Sequence, residues 1–156
     1  MRLWYNEPAP DSDLGWVNRS IPMGNGYMGV NLFGGTSKER IQITENSLYD
    51  WGNDRGLRRR GLNNFVEVYI DFGHNNVKDY MQDLDLNQGV SHVKYEQDGV
   101  VYTRKYFTSY PDKVMAILHS SMLMETMAGL AHSGVVPMRC PENQRLRVLE
   151  PGDGLG

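Results

Sequence analysis

The side chains with the most chemical reach are four carboxylates in a turn-rich stretch, Glu39, Glu45, Asp50 and Asp54. Glycoside hydrolysis needs two carboxyl groups about 5–5.5 Å or about 6.5–9.5 Å apart across a sugar. Spacing along a chain does not fix that distance, and the plain reading is solvated or capping carboxylates. Aromatic residues gather near the N-terminus and in the same stretch: Trp4, Tyr5, Trp16, Tyr49 and Trp51. Aromatic faces pack on the apolar faces of pyranose rings, and they also close cores and domain interfaces. Asp11-Ser12-Asp13 reads as a cap or turn, because nothing nearby completes a calcium loop. His74, His92, His119 and His132 stand too far apart in sequence for a local metal box, and Cys140 is the sole cysteine. No metal and no cofactor is expected. The chain contains no phosphate loop, no nucleophile elbow and no dinucleotide fingerprint.

Something must position these groups. The chain has 156 residues, enough for one domain with a real core. Sixteen Lys and Arg against nineteen Asp and Glu give a net charge of −3, which argues against a nucleic-acid partner. The basic run Arg55, Arg58, Arg59 and Arg60 reads as a solvated loop. No run approaches the roughly 18 apolar residues of a membrane helix, so no membrane partner is expected. The first residues, Met1 to Tyr5, lack an apolar leader. That start fits a cytoplasmic chain or one that begins after a removed leader.

Short runs with a period of two dominate the first 119 residues. Tyr27 to Phe33 reads as a strand after the hairpin signal Asn25-Gly26. Glu39 to Thr44 alternates, with Ile41 and Ile43 on one face. Phe65 to Phe72 places Val66, Val68, Ile70 and Phe72 on one side. Asp98-Gly99 between two β-rich runs predicts a type I′ hairpin over Val90–Thr108. Its register sets Gln97 against Val100, Tyr95 against Tyr102, Val93 against Arg104 and Ser91 against Tyr106. Lys113 to His119 gives another strand. Asn76 caps a short helix reaching about Leu84. The expected fold is mainly β, an antiparallel sandwich of about six strands, since no helical crossovers separate them. Residues 120–156 are expected to be an irregular or short-helical tail, with a short helix over Leu123–Ala131.

Several segments resemble the N-terminal domain of glycoside hydrolase family 95, the inverting α-L-fucosidases and related α-L-galactosidases. They are Leu3-Trp4-Tyr5, Ile21 through Gly29, Phe33-Gly34-Gly35, Glu39 through Leu48, Val68 through Phe72, Asp83 through Leu86, and Val93 through Asp112. They follow one another in the family's order. The resemblance implies a β-sandwich at residues 1–119, followed in the family by an (α/α)6 barrel that carries the catalytic acid and base. The residues after Leu118 are too few for that barrel and depart from the family's strand pattern. The tail at 120–156 is therefore expected to be truncated or out of frame. Two departures bear on substrate identity. Thr44-Glu45-Asn46-Ser47-Leu48-Tyr49 stands where the family commonly has Asn-Glu-Asp-Thr-Leu-Trp, and Trp51 to Asn64 is short and arginine-rich.

On this reading the chain has no catalytic residues of its own. Glu45, Asn46, Tyr49, Trp51, Trp4 and Trp16 are candidates for a substrate rim or domain interface, with Leu48 beside them. The implied partners are carbohydrate, through the whole enzyme, and the (α/α)6 domain. An uncovered apolar face would favour self-association. The resemblance implies a secreted or periplasmic setting. The rival readings are a free-standing carbohydrate-binding module and a fragment without independent function.

Overall fold

The computed structural model describes residues 1–50, 61–123, 132–136 and 147–148. Among these residues are two antiparallel sheets and one short helix. In chain order these are β1 (Arg2–Tyr5), α1 (Asp13–Asn18), β2 (Ile21–Gly24), β3 (Met28–Leu32), β4 (Lys38–Asp50) and β5 (Gly61–Asp71). There follow β6 (Lys78–Asp85), β7 (Val90–Gln97), β8 (Val100–Ser109), β9 (Val114–Leu123), β10 (His132–Val136) and β11 (Arg147–Val148). Sheet A has the order β1-β6-β7-β8-β9-β10 and sheet B the order β11-β5-β4-β3-β2. This is the β-sandwich that the alternating pattern requires.

The core lies between the inner faces. Sheet B contributes Ile21, Val30, Leu32, Ile41, Ile43 and Val68, and sheet A contributes Leu84, Val93, Tyr95, Tyr106 and Met115. Val66 and Ile70 pack on this core from β5, while Phe65 on the opposite face is exposed. The β7–β8 hairpin has the expected register at all four pairs. Asp98 and Gly99 both take positive φ, 54° and 78°, as a type I′ turn demands. Gly99→Val should therefore lower stability by about 1–2 kcal/mol through the left-handed backbone alone, read from urea midpoints. An unchanged midpoint would contradict the turn's role. In the β2–β3 turn, by contrast, only Gly26 has positive φ. The Asn25 side chain accepts from the amides of Tyr27 and Met28 and so organises that turn.

Four expectations need correction. The helix expected after Asn76 is strand β6, whose alternation turns Tyr80, Gln82 and Leu84 toward the interior. Its thin apolar stripe was a period of two interrupted by an irregularity between Lys78 and Met81, where Asp79 has φ 50°. The strand beginning at Glu39 does not end at Thr44. It runs to Asp50 through a bulge. Among the described residues there are eleven strands rather than about six: β6 replaces the expected helix, β10 and β11 lie in the expected tail, and the short edge strands β1 and β2 are too brief for a periodic signal. Finally, β9 continues to Leu123, β10 pairs with its Ile117–Ser121 segment, and β11 pairs with β5, so the tail carries strands. The helix expected over Leu123–Ala131 falls, apart from Leu123 itself, outside the described residues.

Candidate functional site

The distinctive feature of sheet B is the bulge in β4. Thr44 pairs with Asn64 and Tyr49 pairs with Leu62, so four residues, Glu45-Asn46-Ser47-Leu48, oppose Asn63 alone. Bulges of this kind re-aim side chains and concentrate near functional sites. On its other side the bulge is held by β3 and the turn before it. Met28 pairs with Glu45, and the Asn46 amide donates to the Tyr27 carbonyl at 3.0 Å. The Asn25 side chain donates to the Ser109 carbonyl at 2.7 Å, tying this turn to the start of the β8–β9 turn. From that turn Lys113 places its ammonium over the Tyr27 ring, 4.8 Å from the centroid. Two turns and the bulge thus meet at one end of the sandwich, and they bring together Tyr27, Glu45, Asn46, Ser47 and Lys113.

Glu45 is the chemical centre of this end. Its carboxylate accepts from the Ser47 amide at 3.0 Å and from the Ser47 hydroxyl. The hydroxyl bond from Ser47, then its amide, with smaller help from Tyr27 and Lys113, holds the carboxyl below the usual carboxylate range. Glu45 is therefore an ionised acceptor at neutral pH. It suits the capture of a hydroxyl or a cationic partner, and it does not suit proton donation to a leaving group. Asn46 and Ser47 are exposed and Leu48 is half-buried.

The other candidates lie elsewhere or outside the description. Trp4 stands on edge strand β1 opposite Asp83 and is 63% exposed; Trp16 stands on α1 and is 43% exposed. Among the described residues no hydrogen bond or ring contact joins either tryptophan to Glu45 or Asn46. Tyr49 is described only as a strand position paired with Leu62, and Trp51 lies outside the described residues. The same holds for Asp54. Among the described residues no group of three or more His, Cys, Asp or Glu side chains is placed to hold a metal ion.

Sequence reasoning missed a second polar assembly, deep between the sheets. Glu39 and Arg104 are both fully buried, and Arg104 Nη1 donates to Glu39 Oε2 at 2.9 Å. The Tyr106 hydroxyl donates to the same oxygen at 2.9 Å, and the Gly34 amide donates to Oε1 at 2.8 Å. Arg104 Nη2 donates to the Gly35 carbonyl at 2.7 Å, and the Tyr80 hydroxyl donates to the Gly34 carbonyl at 2.8 Å. Burial pushes the Glu39 carboxyl up, while Arg104 and the Gly34 and Tyr106 donors push back. This assembly ties Gly34-Gly35 and β4 of sheet B to β6 and β8 of sheet A. It is sealed from solvent and positions the sheets. It cannot receive a substrate.

The described residues thus form a two-sheet sandwich with an ionised group at one end and a buried ion pair inside. Residues 3–60 and 55–133 match the family described as glycosyl hydrolase family 65, N-terminal domain, and the chain belongs to that family. It is also similar to Alpha-L-fucosidase 2 of Arabidopsis thaliana, with 27% identity over 152 aligned positions that cover 74% of this chain. The chain spans only 17% of that relative's length. The expected resemblance to a glycosidase N-terminal domain therefore stands, with family 65 as the family shown.

Proposed function

We propose that this chain is the N-terminal module of an α-L-fucosidase-like glycosidase of the family-95 type, and that it does not cleave glycosides itself. The observation that carries the reading is the similarity to Alpha-L-fucosidase 2, which adds a fucosidase to the N-terminal-domain family match. In this reading catalysis belongs to an (α/α)6 domain, and the Glu45 end of the sandwich faces that domain and the sugar it holds. Three features support this placement. The Glu45–Leu48 bulge interrupts the β4–β5 ladder just after a smaller register shift between Ile43 and Thr44. Its carboxylate is kept ionised by neighbours that leave it exposed to approach. Tyr27 and Lys113 flank it, so an aromatic face and a cation lie beside an anion. Polar groups around an aromatic anchor are the composition of an interface with a wet centre.

The rival reading is a free-standing carbohydrate-binding module that stacks sugar on Trp4 or Trp16, favoured by the exposure of both rings. An amide-resonance titration with L-fucose and with D-galactose separates the two. The expected result is a set of shifts confined to residues 25–28, 45–48 and 110–113. Shifts confined to Trp4 and Trp16 would install the binding-module reading in its place. No shift anywhere, at the highest sugar concentration reached, would remove sugar contact from the Glu45 end.

A further inference from the structure

At one edge of the sealed interior, two histidines share an aromatic stack with Arg104. The segment after β5 leaves sheet B with the amides of Phe72 and Gly73 donating to the Ser37 carbonyl, at 2.8 and 3.0 Å. It then lays its rings on sheet A. Phe72 packs on His119 of β9, with centroids 5.4 Å apart, and His74 packs on Tyr102 of β8 at 4.2 Å. Tyr102 and His119 stack almost parallel, 7° apart in plane. His74 Nδ1 and the Tyr95 hydroxyl of β7 share a hydrogen bond at 2.8 Å. Arg104 lies directly opposite His119 in the β8–β9 ladder, and its guanidinium sits over the Phe72 ring at 4.5 Å.

We propose that this stack is an acid-sensitive clasp between the two sheets, closed while His74 and His119 are neutral and loosened when they take up protons. The charges around it decide the sign. From β8 the clasp faces Arg104, a permanent cation that is 0% exposed. From β4 it faces Glu39, whose carboxylate is already engaged by Arg104, Tyr106 and the Gly34 amide. Burial raises the hydroxyls of Tyr95 from β7, Tyr106 from β8 and Tyr80 from β6 above their ordinary value, so these three stay neutral, and Tyr102 contributes its ring. The β7–β8 turn offers Asp98, which favours a charged His74 but lies in an exposed turn. No carboxylate is hydrogen-bonded to either ring among the described residues. His119 Nε2 is buried and has no hydrogen-bond partner among the described residues, so a proton added there would meet no acceptor from them.

Burial first, then Arg104, lowers the affinity of both rings for a proton, and His74 adds to the effect on His119. A histidine whose folded value lies below its unfolded value costs nothing above the ordinary value of about 6.5. Stability is then lost as pH falls from that value through the folded one, because the unfolded chain binds the proton first. The carboxylates Glu45, Glu67 and Asp85, which are held low, act only further down the scale.

The test is urea unfolding between about pH 7.5 and about pH 5.5, a window that straddles the ordinary histidine value. It is run on the whole chain and on the double variant His74→Phe/His119→Phe, which keeps the rings and removes the protons. The expected result is a midpoint that falls toward acid in the natural sequence and a fall at least halved in the variant. An equal fall in both would overturn the proposal. Should the variant fail to fold, the natural chain still decides the matter through its histidine ring resonances. Titration of His74 and His119 below the ordinary value, with loss of amide protection at residues 72–77 over the same range, supports the clasp. Titration of both at the ordinary value refutes it.

Discussion

Replacing Arg104 by methionine is expected to lower stability by about 3–5 kcal/mol, because it leaves a buried carboxylate without its cation. Arg104 and Glu39 are each 0% exposed, and they sit on different sheets. Methionine keeps part of the packing against Phe72 and removes the donors to Glu39 Oε2 and to the Gly35 carbonyl. Glu39 would retain neutral donors, the Gly34 and Phe33 backbone and the Tyr106 hydroxyl, and no cation among the described residues. The double variant Glu39→Gln/Arg104→Met should recover part of the loss, since a neutral amide costs less to bury than an unpaired charge. Urea unfolding of the two single variants and the double closes this cycle. A loss below about 1 kcal/mol for Arg104→Met would show that the pair is not the internal tie described.

Gly34→Ala is expected to cost about 2–5 kcal/mol, from two causes that act together. Gly34 has φ +74°, a left-handed conformation that costs a side-chain-bearing residue about 1–2 kcal/mol. A β-carbon there would also lie 2.5 Å from Gln82 Oε1 and closer still to the Tyr80 hydroxyl. Neither atom is free to retreat. Tyr80 donates to the Gly34 carbonyl, and buried Gln82 reaches toward the Leu32 carbonyl. Overpacking at such a point adds about 1–3 kcal/mol. Gly26→Ala makes the control, because Gly26 has φ +83° with no atom near a new β-carbon. It should show the backbone cost alone. Equal losses at the two glycines would mean that the contact with Tyr80 and Gln82 carries no weight.

Much of this fold was legible from period and turn chemistry. Asp98-Gly99 fixed the β7–β8 register, and the alternation at Val66, Val68 and Ile70 named the buried face of β5. Asp11-Ser12-Asp13 was readable as a cap, and Ser12 does accept from the Gly15 amide at the start of α1. The interior ion pair was also within reach. Glu39 shares its parity with Ile41 and Ile43, and Arg104 shares its parity with Tyr102 and Tyr106, so the pattern that named the core also placed two charges in it. Charged residues on an apolar face invite dismissal as strand ends, and only the paired sheets show that they meet. The bulge was not legible. Glu45-Asn46-Ser47 has the composition of a strand end, and whether a ladder stops or skips depends on its partner, here Asn63 between Leu62 and Asn64. The strand β6 was lost for a related reason, since the irregularity near Asp79 spoils a period that is otherwise plain.

The electrostatic state of Glu45 links the fold to the proposed role. A general acid must hold its proton near the working pH, and Glu45 is held below the usual carboxylate range by its Ser47 bonds. The measurement that tests the account most directly is the release of nitrophenol from nitrophenyl α-L-fucoside and nitrophenyl α-L-galactoside by the purified chain, beside its Glu45→Gln variant. The account predicts that both proteins release nitrophenol at the rate of buffer alone. Release above that rate by the natural chain, lost in Glu45→Gln, would contradict it and move catalysis into this sandwich.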